Sequence, residues 1–192
     1  MIITRQEENY IKIQSGDTTL LIDPTSQRSF KGAAAAINTV RPSYIEYDGL
    51  GDCFWIDHQG EYEIQGIHIR GWSAGNEEGT EKTIYRIEFD DIILSILGHI
   101  TQEPSKEFIE YLDGTDIMIV PAGGKPWVSQ VSLAKFIRQI EPSVIIPSLF
   151  KDLKPFLKEC NVAEAIQEEK FVFKKKDLTT GAMEIRNIEE KK

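Results

Sequence analysis

The chain has 192 residues, with 22 Lys plus Arg against 31 Asp plus Glu for a formal charge of −9, and 41% of its residues are hydrophobic. That is the composition of one ordinary globular domain covering residues 1–192. At this size a chain buries roughly 70% of the surface it exposes when unfolded, so neither a disulfide nor a structural metal is needed to hold a core. An acidic chain without a long basic stripe is a poor partner for phosphate backbones, which argues against nucleic-acid binding. Cys53 and Cys160 show no CxxC spacing and read as free thiols in a reducing compartment. The N-terminal Met1-Ile2-Ile3-Thr4-Arg5-Gln6-Glu7-Glu8 turns polar too soon for a signal peptide, and no later run approaches ~20 apolar residues. A soluble, cytoplasmic protein with no membrane partner is expected.

In chain order, Tyr10-Ile11-Lys12-Ile13, the turn Ser15-Gly16-Asp17 and the apolar run Thr18 to Ile22 predict a hairpin that ends at Asp23-Pro24. Strands follow at Cys53 to Ile56, Tyr62 to Arg70, Thr83 to Phe89 and Ile92 to Leu97, with Asp90-Asp91 as a turn. In the third of these, Tyr85, Ile87 and Phe89 share one face, and Arg86 and Glu88 the wet one. After Gly98 the apolar period lengthens to ~3.6 residues. Thr101 is placed to cap a helix with Phe108, Ile109 and Leu112 on its stripe and Pro104 in its first turn. Asp116 to Pro121 is a buried strand, Ser129 or Ser132 opens a helix with Leu133, Phe136, Ile137 and Ile140 inward, and Ser143 to Pro147 is a strand. Asp152 to Cys160 is the next helix, and Lys170 to Lys174 and Ala182 to Ile188 return to alternation. Strands first and strand–helix units later define an α/β sandwich with helices outside.

Five segments, in order and spacing, resemble the metallo-β-lactamase superfamily, and most of all its compact branch of lactonase-like proteins and zinc-dependent hydrolases. They are Leu20-Leu21-Ile22-Asp23-Pro24, Gly60 to Gly66, Ser95-Ile96-Leu97-Gly98-His99, Ile119-Val120-Pro121-Ala122-Gly123-Gly124, and Ile140 to Pro147. The resemblance implies a four-layer αββα sandwich whose strand ends gather at one rim, where members of the family bind two zinc ions. The family's His-x-His-x-Asp-His signature follows an apolar strand and a Thr, which Ala33 to Thr39 resembles here. Alternate imidazoles on that tight loop reach one metal while the Asp and the following His reach the other. Together the two ions lower the pKa of a bridging water toward neutrality.

Carried onto this chain, the four signature positions hold Val40, Pro42, Tyr44 and Ile45, none an imidazole or carboxylate. The position of the metal-bridging Asp holds His99, and the late Pro-x-His reads Pro147-Ser148-Leu149. The three histidines, His58, His68 and His99, are also too few for the full site. The expectation is therefore a family member without the dinuclear centre: no cofactor, no catalytic residue, and a binding or assembly role toward a small molecule or a protein.

His99 stands at a strand end facing the implied pocket and is expected to bond to backbone or a carboxylate. His68, alternating with Ile67 and Ile69, should face solvent, and His58 sits in a polar turn. Asp23 is expected to accept backbone N–H bonds in its turn. The alternative is a hydrolase with a rebuilt site, holding one weakly bound divalent metal among Asp23, Asp48, Asp52 and His99, where an oxygen-rich set suits Mg²⁺ or Mn²⁺. Lys125 and Ser148 complete the candidate pocket. Gly123-Gly124-Lys125 is not part of a GxxxxGK[ST] loop, and Ser148 lies in no Gly-x-Ser-x-Gly elbow.

Overall fold

The computed structural model describes residues 1–43, 45 and 52–191. The strands are β1 (Ile2–Glu7), β2 (Tyr10–Ser15), β3 (Thr18–Ile22), β4 (Ala35–Ile37), β5 (Val40–Arg41), β6 (Phe54–Ile56), β7 (Gly60–Ile64), β8 (Ile67–Glu77), β9 (Thr80–Phe89) and β10 (Ile92–Ile96). There follow α1 (Glu107–Tyr111), β11 (Ile117–Pro121), α2 (Gln130–Ile140), β12 (Val144–Ser148), α3 (Lys154–Glu159), β13 (Ile166–Glu168), β14 (Phe171–Val172) and β15 (Glu184–Ile188). One sheet runs β14-β1-β2-β3-β4-β6, the other β13-β15-β12-β11-β10-β9-β8-β7, with β5 against the end of β9.

Alternation dictates the core between the two sheets. Ile3, Ile11, Ile13, Leu20 and Ile22 from the first sheet meet Tyr85, Ile87, Leu94, Ile96, Ile117 and Ile119 from the second. The α-helices bury their apolar stripes on the outer face of the second sheet, where Phe108, Leu133, Phe136, Ile137 and Phe156 pack on Met118, Val120 and Ile145. The outer face of the first sheet is covered, among the described residues, by Phe30 of a 3₁₀ turn (Gln27–Phe30), Ala33, Cys53 and Trp55. These layers form the expected α/β sandwich.

Local sequence explains where the elements begin and end. Ser129 caps α2, its Oγ accepting from Ser132 N at 3.1 Å. Asp90 and Asp91 hold φ of 55° and 62° in the β9–β10 turn, the left-handed pair of a tight hairpin. Two sequence expectations are corrected. Tyr62 to Arg70 is not one strand, because Gln65 and Gly66, with φ of 49° and 78°, fold it into the β7–β8 hairpin. Thr101 caps nothing: Pro104 disfavours helical backbone at the residue before it, and α1 begins only at Glu107.

The topology gathers the C-terminal ends of several parallel strands at one rim. β3, β4 and β6 run parallel in one sheet, and β10, β11 and β12 in the other. Their C-terminal ends lead into Asp23, Asn38 and Thr39, His99, and Pro121, while Ser148 closes β12.

Candidate functional site

At this rim five buried polar residues from five strand ends bond to one another. Thr39 N donates to Asp23 Oδ1 and Thr39 Oγ1 to Asp23 Oδ2, each at 2.7 Å. Asn9 Nδ2 donates to the same Oδ2. The Asn9 Oδ1 in turn accepts from Ser148 Oγ at 2.6 Å. Thr39 Oγ1 also lies 2.7 Å from His99 Nδ1. A hydroxyl carries one proton, and Thr39 gives it to Asp23, so Nδ1 is the donor to Thr39 and the neutral ring has its lone pair on Nε2. Burial, partly offset by Asp23 and Glu8 and reinforced by Lys82, holds the His99 pKa below the ordinary histidine value. His99 is thus a neutral imidazole at pH 7, with its tautomer fixed by Thr39. The indole of Trp127 meets it in a T-shaped contact, with centroids 5.0 Å apart and ring planes at 73°.

His99 lines a cleft of about 800 Å³ together with Val40, Lys82, Gln102, Trp127 and the β8–β9 hairpin tip. The buried Lys82 Nζ donates to Glu77 Oε2 at 2.6 Å and to Thr101 Oγ1 at 2.9 Å. Thr101 Oγ1 and Gln102 Nε2 both donate to Glu77 Oε1. The Lys82 bond first, then that of Thr101, holds the Glu77 carboxyl below the usual carboxylate range. A second cleft, of about 440 Å³, shares Pro126 and Trp127 with the first and is lined by Glu8, Lys125, Leu149 and Phe150.

The candidate residues fall into distinct places. Asp23, His99 and Ser148 come together in the buried network, and Asp23 accepts the backbone N–H of Thr39 as expected. Val40 is buried at the first cleft; Leu149 is buried at the second, and Lys125 lines that same cleft while itself exposed. Ile45 packs on the outer face of the first sheet, away from both clefts, and Pro42 is exposed. Tyr44 and Asp48 lie outside the described residues. Asp52 does not join His99: it precedes β6 at the end where β4 starts, about six extended residues, roughly 20 Å, from Thr39. His68 and His58 are exposed, and His58 bonds Asp57. The sequence reading missed Asn9, Lys82, Glu77 and Trp127. Trp127, a large aromatic after Gly123-Gly124-Lys125-Pro126, was the one with a visible signal.

A dinuclear zinc centre asks for imidazole and carboxylate groups converging on open space. The side chains of Val40, Pro42, Ile45 and Leu149 carry no donor atom, and the Asp23 carboxylate already accepts three hydrogen bonds. Among the described residues no group of three or more His, Cys, Asp or Glu side chains converges to hold a metal, and a catalytic zinc takes at least three protein ligands. The described residues do not fit such a centre.

A family model for the beta-lactamase superfamily domain matches residues 3–148, and the chain belongs to the metallo-β-lactamase superfamily. Solved structures extend the likeness along the whole chain. A candidate Zn-dependent hydrolase of this superfamily from Thermotoga maritima superposes with a TM-score of 0.81 at 16% identity, covering 99% of both chains. The metallo-β-lactamase fold protein YhfI from Bacillus subtilis gives 0.70 at 11% identity, over 98% of this chain and 96% of that one. Igni18, a metallo hydrolase from Ignicoccus hospitalis, gives 0.67 at 12% identity, over 98% and 94%. At such identities the likeness is one of fold. No curated protein matches the sequence significantly.

Proposed function

We propose that this chain is a non-catalytic, single-domain member of its superfamily that has lost the dinuclear zinc site and binds a small molecule at the rim, in the cytoplasm. The observation that carries this reading is the closed network at the strand ends. Asp23, the carboxylate best placed to serve a metal, is enclosed by Asn9 and Thr39, and His99 gives its Nδ1 proton to Thr39. Recruiting Asp23 to a cation would strip a buried carboxylate of these bonds. The cleft beside the network offers an aromatic wall and polar groups, the usual make-up of a small-molecule site.

The competing reading is a hydrolase with a mononuclear site rebuilt around His99, favoured by the place of that residue in the wall of the cleft. Elemental analysis separates the two. Protein purified without an affinity tag is expected to hold well below one zinc or manganese per chain, and its thermal melts with and without EDTA are expected to coincide. Lactone, phosphodiester and β-lactam hydrolysis should match the blank with or without added metal. A stoichiometric metal with a chelator-induced loss of several degrees, or metal-dependent turnover abolished in His99→Ala, establishes the rebuilt hydrolase instead.

A further inference from the structure

The chemistry of the 800 Å³ cleft specifies its ligand more closely. The one cationic side chain at its wall, Lys82, is already committed to groups within the protein. Lys82 Nζ donates to Glu77 and Thr101, Thr101 gives its hydroxyl proton to Glu77, and the Gln102 amide also donates to Glu77. The positive charge of Lys82 is thereby neutralised by Glu77 inside the wall. The charge left over among the lining residues is negative. Glu78, exposed at the β8–β9 hairpin tip, has no ion-pair partner among the described residues, and the Gln102 amide donates from its nitrogen with its oxygen left as an acceptor. The half-buried indole of Trp127 also lines the cleft. The lining charges are thus Glu77 and Glu78 against Lys82, a balance of −1.

We propose that this cleft binds a small organic cation, a protonated amine or amidinium carried on a flat apolar body, with its charged head toward Glu78 and its body against Trp127. An aromatic face attracts a cation through its quadrupole, and a desolvated cleft strengthens that attraction. An anion meets the opposite situation: no uncommitted cation among the lining residues, and the carboxylate of Glu78 at the mouth. The inference rests on the binding reading above and names the class of ligand.

Three probes of one shape and different charge test it: benzamidinium, neutral benzamide and anionic benzoate, titrated by calorimetry into the full chain with and without EDTA. Benzamidinium is expected to bind at least tenfold more tightly than benzamide, with benzoate weakest, and to weaken as salt rises from 0.05 to 0.5 M. Glu78→Gln, a change at an exposed position, should weaken benzamidinium severalfold while leaving benzamide unchanged. Trp127→Leu should weaken it tenfold, and Trp127→Phe, which keeps a π face, should recover part of the loss. Equal binding of the three probes, tighter binding of benzoate, or benzamidinium affinity unchanged in both Glu78→Gln and Trp127→Leu overturns the proposal. The metal content of the same samples separates the two readings. Stoichiometric zinc with cation binding intact removes the pseudoenzyme reading alone, and metal-free protein that ignores benzamidinium removes this one alone.

Discussion

His99 shows how a single buried ring ties fold stability to pH. In the unfolded chain its pKa returns to the ordinary histidine value, near ~6.5, whereas burial depresses it in the folded state. Between the two values the unfolded chain binds the extra proton, so stability increases with pH across that window. The contribution is fully present above the unfolded pKa and is lost as pH falls toward the folded one. Melting temperature should therefore drop between pH 7 and pH 5, and His99→Gln, whose amide does not titrate, should show a shallower drop. Parallel pH profiles for the two proteins, measured by circular dichroism, would show that His99 is not the titrating group. Its neighbour Thr39 matters through geometry: one hydroxyl decides which ring nitrogen carries the proton.

The element that holds His99 in place is the end of β10, and Gly98 is the reason it fits. Gly98 has φ of 56°, and a Cβ there would run into the Thr39 side chain well inside van der Waals contact. Gly98→Ala is expected to cost about 2–3 kcal/mol, from overpacking against a rigid partner together with left-handed strain. Gly79, with φ of 84° and open space around it, supplies the control: Gly79→Ala incurs the strain without the collision. Equal losses in chemical denaturation would mean that the Thr39 contact is relieved at no cost. The elements were legible in the sequence where one local rule governed, as in the β2–β3 hairpin, the α2 stripe with its Ser129 cap, and the alternation of β9. They were misread where two rules competed: the apolar alternation from Tyr62 onward hid the Gln65-Gly66 turn, and Pro104 outweighed the Thr101 cap. Of the site, Asp23 and His99 were visible because each ends an apolar strand. Asn9, Lys82 and Glu77 were not, since only tertiary packing across β8, β9 and the two sheets brings them to the rim.

On the scale of the molecule, the sandwich is completed by residues beyond the stretch that the family model matches. β15 lies between β12 and β13, and its Ile185 and Ile188 are buried. Arg5, itself buried, donates through Nε to Ile188 O at 2.8 Å, which ties the first strand to the last. Removing residues 184–191 uncovers the edge of β12 and the apolar groups beneath it. Such a truncated chain is expected to lose its cooperative thermal transition, and a native-like melt would show that the remaining sheet is self-sufficient. No helix among the described residues is long and apolar enough to cross a membrane.

The pairing of β1 with β14 also has a kinetic side. Ile2 sits opposite Val172, and Ile3 opposite Phe171. During synthesis β1 acquires β2 as a neighbour almost at once, yet its other edge waits for residues 171–172 to leave the ribosome. Until then it is an open template for strands of other chains. Contacts of such long sequence separation also slow folding, because loop closure precedes the reward of pairing. The nascent protein thus passes through a period in which its first strand is half-paired and vulnerable to aggregation, and a chaperone acting in that interval would protect a hairpin that the finished sandwich hides.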